Sequence, residues 1–107
     1  MSTVDVFSAL ANPVRRDLLL RLRKGPCAVN ELARGFEIGR PAVSEHLQVL
    51  RNARLIREEP RGRERYYHLD PRPLEEVETW LAAFTRYWDR RLDALDHLLA
   101  KEKEKER

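Results

Sequence analysis

Between Ala28 and Ala53 the sequence reads AVNELARGFEIGRPAVSEHLQVLRNA, two amphipathic segments split by a break only a few residues long. The second segment constrains the fold most. Val43, Leu47 and Leu50 recur at steps of four and three, the single stripe of a helix running from about Arg40 to Ala53. Gly39 is an acceptable cap, and Pro41 is tolerated in the first turn because no intrahelical partner waits for its missing N–H. In the first segment, VNELARGF offers Val29, Leu32, Ala33 and Phe36 as an inner face before Gly35 and EIG break the chain. Two short helices joined this way predict a helix-turn-helix, in which the first helix braces the second.

The outward side of the second helix is the informative one. With Val43, Leu47 and Leu50 buried, Pro41, Ser44, Glu45, Gln48 and Asn52 fall on the opposite face. Ser44 and Gln48 donate and accept, and Gln is a natural bidentate partner for adenine in a major groove. Glu45 suits cytosine N4, while Arg40 at the helix entrance suits guanine or a phosphate, and Arg51 adds charge near the exit. A solvated face that touches nothing is the plain alternative. His46, at the edge of the apolar stripe, reads as packed or bonded to backbone rather than as a base reader or metal ligand.

The flanking segments complete the pattern. TVDVFSALA reads as a short helix with Val4, Phe7, Ala9 and Leu10 available for packing. Asn12 caps a helix whose first residue is Pro13 and whose stripe is Val14, Leu18, Leu19 and Leu22, with Arg15, Arg16, Arg21, Arg23 and Lys24 in solvent. From Leu55 to Leu69 the period shortens to that of two strands flanking PRGR, a hairpin tipped by Arg61 and Arg63, with Arg65 following. After Asp70-Pro71-Arg72-Pro73, one long helix is expected from about Leu74 to Ala100. Leu74, Val77, Leu81, Phe84, Trp88, Leu92, Leu95 and Leu99 form a stripe too long for so small a core to cover, and a second copy of the chain is the simplest cover. KEKEKER reads as a solvated tail.

A chain of 107 residues suits one domain, expected over 1–100 with a charged tail at 101–107. Its net charge is +3, but residues 1–69 carry 13 Lys/Arg against 8 Asp/Glu, so the cationic surplus sits with the helix-turn-helix and hairpin. One cysteine, Cys27, precludes an internal disulfide and makes a reducing cytoplasm the default compartment; no apolar run approaches a membrane span. There is no Gly-rich phosphate loop, no nucleophile beside a His base and no paired carboxylates, so catalysis and a resident cofactor are not expected.

The segments FSALANPVRRDLLLRL, VNELARGFEIGRPAVSEHLQVLRNARLI and EEPRGRERYYHLDP, with the Trp-containing last helix, resemble the ArsR/SmtB-type winged-helix repressors of bacteria and archaea. Members carry an ELA…SxPxVSxHLxxLxxAGLV pattern; this chain has Gly39 where Ser is usual and Arg54 where Gly is usual. The resemblance implies a mainly α fold with a small β-hairpin (α+β), a winged helix-turn-helix ordered helix-helix-helix-helix-strand-strand-helix. It implies a homodimeric, cytoplasmic, nucleoid-associated DNA-binding repressor. Helix 40–53 would enter the major groove of an inverted repeat and wing 55–69 would reach the backbone or minor groove. Arg40, Pro41, Ser44, Glu45, Gln48, Arg51, Arg61, Arg63 and Arg65 are then the DNA-contacting set. Phe7, Leu81, Phe84, Trp88, Leu92, Leu95 and Leu99 are the dimerisation set.

Metal sensors of this family place two cysteines on the third helix in ELCVCDL; here the stretch is AVNEL, with Ala28 and Asn30 where thiolates would stand. Asp89, Asp93, Asp96 and His97 on the last helix fall short of a usual zinc donor set and read as a charged face, so no metal is expected. A small-molecule inducer of unknown chemistry is compatible with the resemblance. The alternative function is a winged-helix module that docks on another protein and leaves DNA alone, motivated by Glu45 and the acidic residues of the hairpin.

Overall fold

The computed structural model describes residues 5–105, and the backbone alone of residues 89–94 and 102–105. In chain order the elements are α1 (Val6–Leu10), α2 (Pro13–Leu22), β1 (Cys27–Ala28), α3 (Val29–Ala33), α4 (Arg40–Asn52), β2 (Ile56–Arg61), β3 (Glu64–Leu69), α5 (Leu74–Ala82) and α6 (Thr85–Lys105). Two units divide the chain, residues 1–77 and 78–107.

In the first unit the caps act as the residue types require. The Asn12 side chain accepts from the amides of Val14 at 2.8 Å and Arg15 at 3.2 Å, and Pro13 begins α2. Helix α3 is shorter than its apolar spacing suggested. Arg34 turns extended and Gly35 takes φ 87°, so Phe36 lies beyond the helix and not on it. Leu18, Leu22, Leu32, Val43, Leu47, Leu50 and Leu55 are the centre of one apolar cluster, joined by Val6 and Ala9 of α1. Each such side chain contributes about 1.5–3 kcal/mol on leaving water. Phe7 and Leu10 are only partly buried against this cluster, as are Leu74 and Val77 of α5; Val4 lies outside the described residues.

The sheet has a strand the sequence reading omitted. Its antiparallel order is β1-β3-β2, with Cys27 opposite Tyr67 and Ala28 opposite Tyr66. The hairpin turn is also tighter than PRGR implied. Pro60 lies within β2, opposite Arg65, and only Gly62 and Arg63 form the loop, with Gly62 at φ 60°. β2 is an edge strand, where a proline is tolerated.

Two surface assignments need correction. Arg15 and Arg21 are partly buried rather than solvated. Arg15 donates to the carbonyls of Ala9 at 2.7 Å and Ser8 at 3.1 Å, closing the end of α1. Arg21 donates to the carbonyls of Leu32 at 3.1 Å and Arg34 at 2.6 Å, and lies 4.1 Å from the centre of the Phe36 ring. It therefore ties α2 to the carbonyls that α3 leaves unpaired at its end.

In the second unit the expected single helix is two. The amides of Ala83 and Phe84 bond the carbonyls of Trp80 and Leu81 three residues back, tightening the end of α5, and Trp88 N–H to Phe84 C=O restarts the α pattern. The Trp80 and Phe84 rings pack 5.1 Å apart across this break. Helix α6 continues to Lys105, because Lys and Glu are both good helix formers, and the segment read as a tail is helical that far. Among the described residues no helix is long and apolar enough to cross a membrane.

Candidate nucleic-acid interface

Arg40, Pro41, Ser44, Glu45, Gln48 and Arg51 are all exposed on α4, whose opposite side buries Val43, Leu47 and Leu50 completely. Helix α4 and the β2–β3 hairpin enclose a groove of about 400 Å³. Arg40, Ser44, Gln48 and Arg51 line it from α4, and Arg63, Arg65, Glu58 and Tyr67 from the hairpin. The groove thus gathers six of the nine residues singled out for DNA contact. Pro41, Glu45 and Arg61 are exposed but do not line it.

The arginines fall into two groups. Arg40 and Arg63 make no ion pair among the described residues. Arg51 and Arg65 are both held by Glu58, at 2.9 Å and 2.8 Å. Arg61 pairs with Glu59 and lies 4.6 Å from the centre of the Tyr66 ring. Arg61 and then His68, which stands 3.3 Å from the same oxygen, hold the Glu59 carboxyl below its ordinary range. Burial, followed by the nearby Glu58 carboxylate, pushes the Tyr67 phenol up, so that it remains a neutral hydrogen-bonding group. The Gln48 amide donates to Asn52 Oδ1 at 2.9 Å, which orients its head group along the exposed face.

His46 is partly buried, as its position on the stripe suggested, but its partner is a side chain. Arg15 Nη1 stands 3.3 Å from His46 Nδ1, and a guanidinium only donates, so Nδ1 accepts. Arg54 does not border the groove; it lines a separate hollow with Asp70, Arg72 and Pro73. The Cys27 thiol donates to Glu31 Oε2 at 3.4 Å, and burial together with that carboxylate pushes it up, keeping it protonated. In the dimerisation set, Leu81, Phe84, Trp88, Leu95 and Leu99 are exposed, and the partly buried Phe7 packs on the first unit's core. The side chains of Leu92, Asp89 and Asp93 lie outside the described residues.

Sequence reasoning missed Glu58, Arg15 and Arg21. Glu58 had a signal: strand alternation puts it on the same face as Ile56, which is buried. The carbonyls the two arginines hold had none, since they lie at turns whose course no residue type announces; only the i,i+4 spacing of Asp17 and Arg21 could be read.

A helix pair with an exposed polar face, beside a cationic hairpin, defines a winged helix-turn-helix. Residues 12–58 match the model of the bacterial regulatory protein arsR family. The chain is 45% identical over 96 residues to the HTH-type transcriptional regulator Rv2034 of Mycobacterium tuberculosis, covering 90% of this chain and 87% of that one. It is 32% identical over 85 residues to the transcriptional repressor SdpR of Bacillus subtilis, covering 79% and 94%. The crystal structure of the ArsR family transcriptional regulator RHA00566 superposes with a TM-score of 0.71 at 38% identity, covering 79% of this chain and 93% of that one. The chain belongs to the ArsR family of regulators. It is a DNA-binding transcriptional regulator and not an enzyme.

Proposed function

We propose that the chain acts as a homodimeric repressor that reads an inverted repeat in double-stranded operator DNA. Helix α4 enters the major groove, with Ser44, Glu45 and Gln48 at base edges and Arg40 at the entrance. The β2–β3 wing lays Arg63 on the backbone or in the minor groove. The observation that carries this reading is the exposed polar face of α4, set beside the unpaired guanidinia of Arg40 and Arg63 in one groove. The name of SdpR as a repressor supports the direction of regulation. On this reading the protein works in the cytoplasm, at the nucleoid.

The dimer rests on the second unit. Trp80, Leu81, Phe84, Tyr87, Trp88, Leu95, Leu98 and Leu99 are all between 43% and 61% exposed, and apolar surface of that extent marks an interaction site. A second copy of the same helices is the self-complementary cover that two-fold symmetry provides.

Selection of duplexes from a random pool tests both parts. The expected product is an inverted repeat with half-sites about one helical turn apart. On it, Gln48→Ala relaxes base preference and Arg63→Ala weakens all sequences alike. A pool that enriches nothing at low salt, together with stoichiometric capture of one partner protein, would replace this function with that of a protein-docking module.

A further inference from the structure

Glu58 is the one carboxylate in the groove whose two oxygens are each taken by a different guanidinium. Oε2 holds Arg51 of α4 and Oε1 holds Arg65 of β3. Its side chain is 14% exposed, against 50% for Arg51 and 68% for Arg65, so it is the shielded member of the triad. The triad spans three elements and crosses the groove between reading helix and wing.

We propose that Glu58 sets specificity by withholding Arg51 and Arg65 from the phosphates of non-cognate DNA. This rests on the groove being the DNA site. A guanidinium leaving Glu58 for a phosphate exchanges one anion for another and strips a shielded carboxylate of its partner, so the exchange gains little. The stranded carboxylate then repels the incoming strand. Arg40 and Arg63 pay neither cost and supply the sequence-independent attraction. Only a duplex whose base edges fit Ser44 and Gln48 returns enough to draw Arg51 and Arg65 across.

The test measures affinity for a random-sequence duplex and for the selected inverted repeat, as a function of salt. Glu58→Gln keeps shape and removes the charge. It is expected to raise random-duplex affinity roughly tenfold, to steepen its log–log salt slope by about 0.9 to 1.8, and to narrow the gap between the two duplexes. Random-duplex affinity and slope that stay level or fall, in a variant with native circular dichroism, overturn the proposal. A contrast between a held and an unpaired arginine tests it without touching Glu58. Arg63→Ala should flatten the random-duplex slope by about 0.9, whereas Arg51→Ala should leave it unchanged; equal losses overturn the proposal. If the unaltered protein retards no duplex at low salt, the DNA reading itself falls, and this inference with it.

Discussion

The amide of Leu55 donates to the carbonyl of Leu50 at 3.0 Å, closing helix α4 around Arg54. A second bond, from the Arg54 amide to the Arg51 carbonyl at 2.9 Å, completes a Schellman motif whose C′ residue is Arg54. Leu50 and Leu55 are both fully buried, and supply the apolar contact that such an ending brings together. Arg54 consequently stands at φ 63°, in the left-handed region that disfavours every side chain with a Cβ. The family pattern has glycine at this position, and the geometry gives the reason.

Arg54→Gly should therefore stabilise the domain by about 1 kcal/mol, the relief of left-handed strain exceeding the added freedom of the unfolded chain. A urea titration with an unchanged m value reads this directly. Arg54→Ala should gain nothing, because alanine keeps the Cβ. A destabilised Arg54→Gly variant would mean that the guanidinium earns more at its surface hollow than its backbone costs.

Arg21→Lys should destabilise by about 1–2 kcal/mol. Nη1 reaches two carbonyls, Leu32 and Arg34, while the flat guanidinium covers Phe36 and Nη2 meets Asp17 at 3.2 Å. An ammonium keeps the charge but has no fork and no plane. Hydrogen exchange should locate the loss in residues 29–36, at the turn that leads into α4. Stability equal to that of the parent would reduce Arg21 to a solvated cation.

Asp70 gives a pH dependence with a defined sign. Arg72 binds its carboxylate with both the guanidinium and the backbone amide, and holds it at about 2. A carboxyl depressed on folding adds stability above its ordinary range near 4, and that increment fades as pH falls through about 2. Carboxyl-carbon NMR should find the Asp70 midpoint near 2, returning toward the ordinary range in Arg72→Gln. Unaltered titration in that variant would assign the shift to another cause.

The only two tryptophans, Trp80 and Trp88, are each 55% exposed. If a second copy covers this face, tryptophan emission should shift to the blue as concentration rises, in step with a doubling of mass by light scattering. Trp88→Glu should hold the chain at monomer mass and abolish the shift while leaving the fold of residues 5–77 intact. A monomer at every concentration would remove the two-fold reading of DNA.

What was legible in the sequence follows from how far each signal repeats. Val43, Leu47 and Leu50 repeat over about two turns, and α4 lies where they put it, with its polar face outward. Strand β1 has two residues, too few for any alternation, and only its pairing with Tyr66 and Tyr67 of β3 defines it. The α5–α6 break was invisible for the opposite reason. The three-four rhythm runs through Leu81, Phe84 and Trp88 without Gly or Pro, and the interruption lies in backbone bonds at Ala83 and Phe84 that leave the spacing untouched. Among the site residues, exposure was readable from helical phase, but the division of arginines into held and unpaired was not. It depends on side-chain reach that strand register alone does not give: Glu58 lies opposite Tyr67 and Arg65 opposite Pro60, yet Glu58 holds both Arg65 and, across the groove, Arg51.

The short strand β1 gives the wing two mechanically distinct halves. At its base, β3 is stitched to Cys27 and Ala28, directly ahead of α3, so any tilt there must drag the helix that braces α4 with it. Beyond Tyr66 the hairpin is paired only with itself, out to the Gly62–Arg63 loop. Length and charge at that free end can therefore change while the anchored half keeps its geometry.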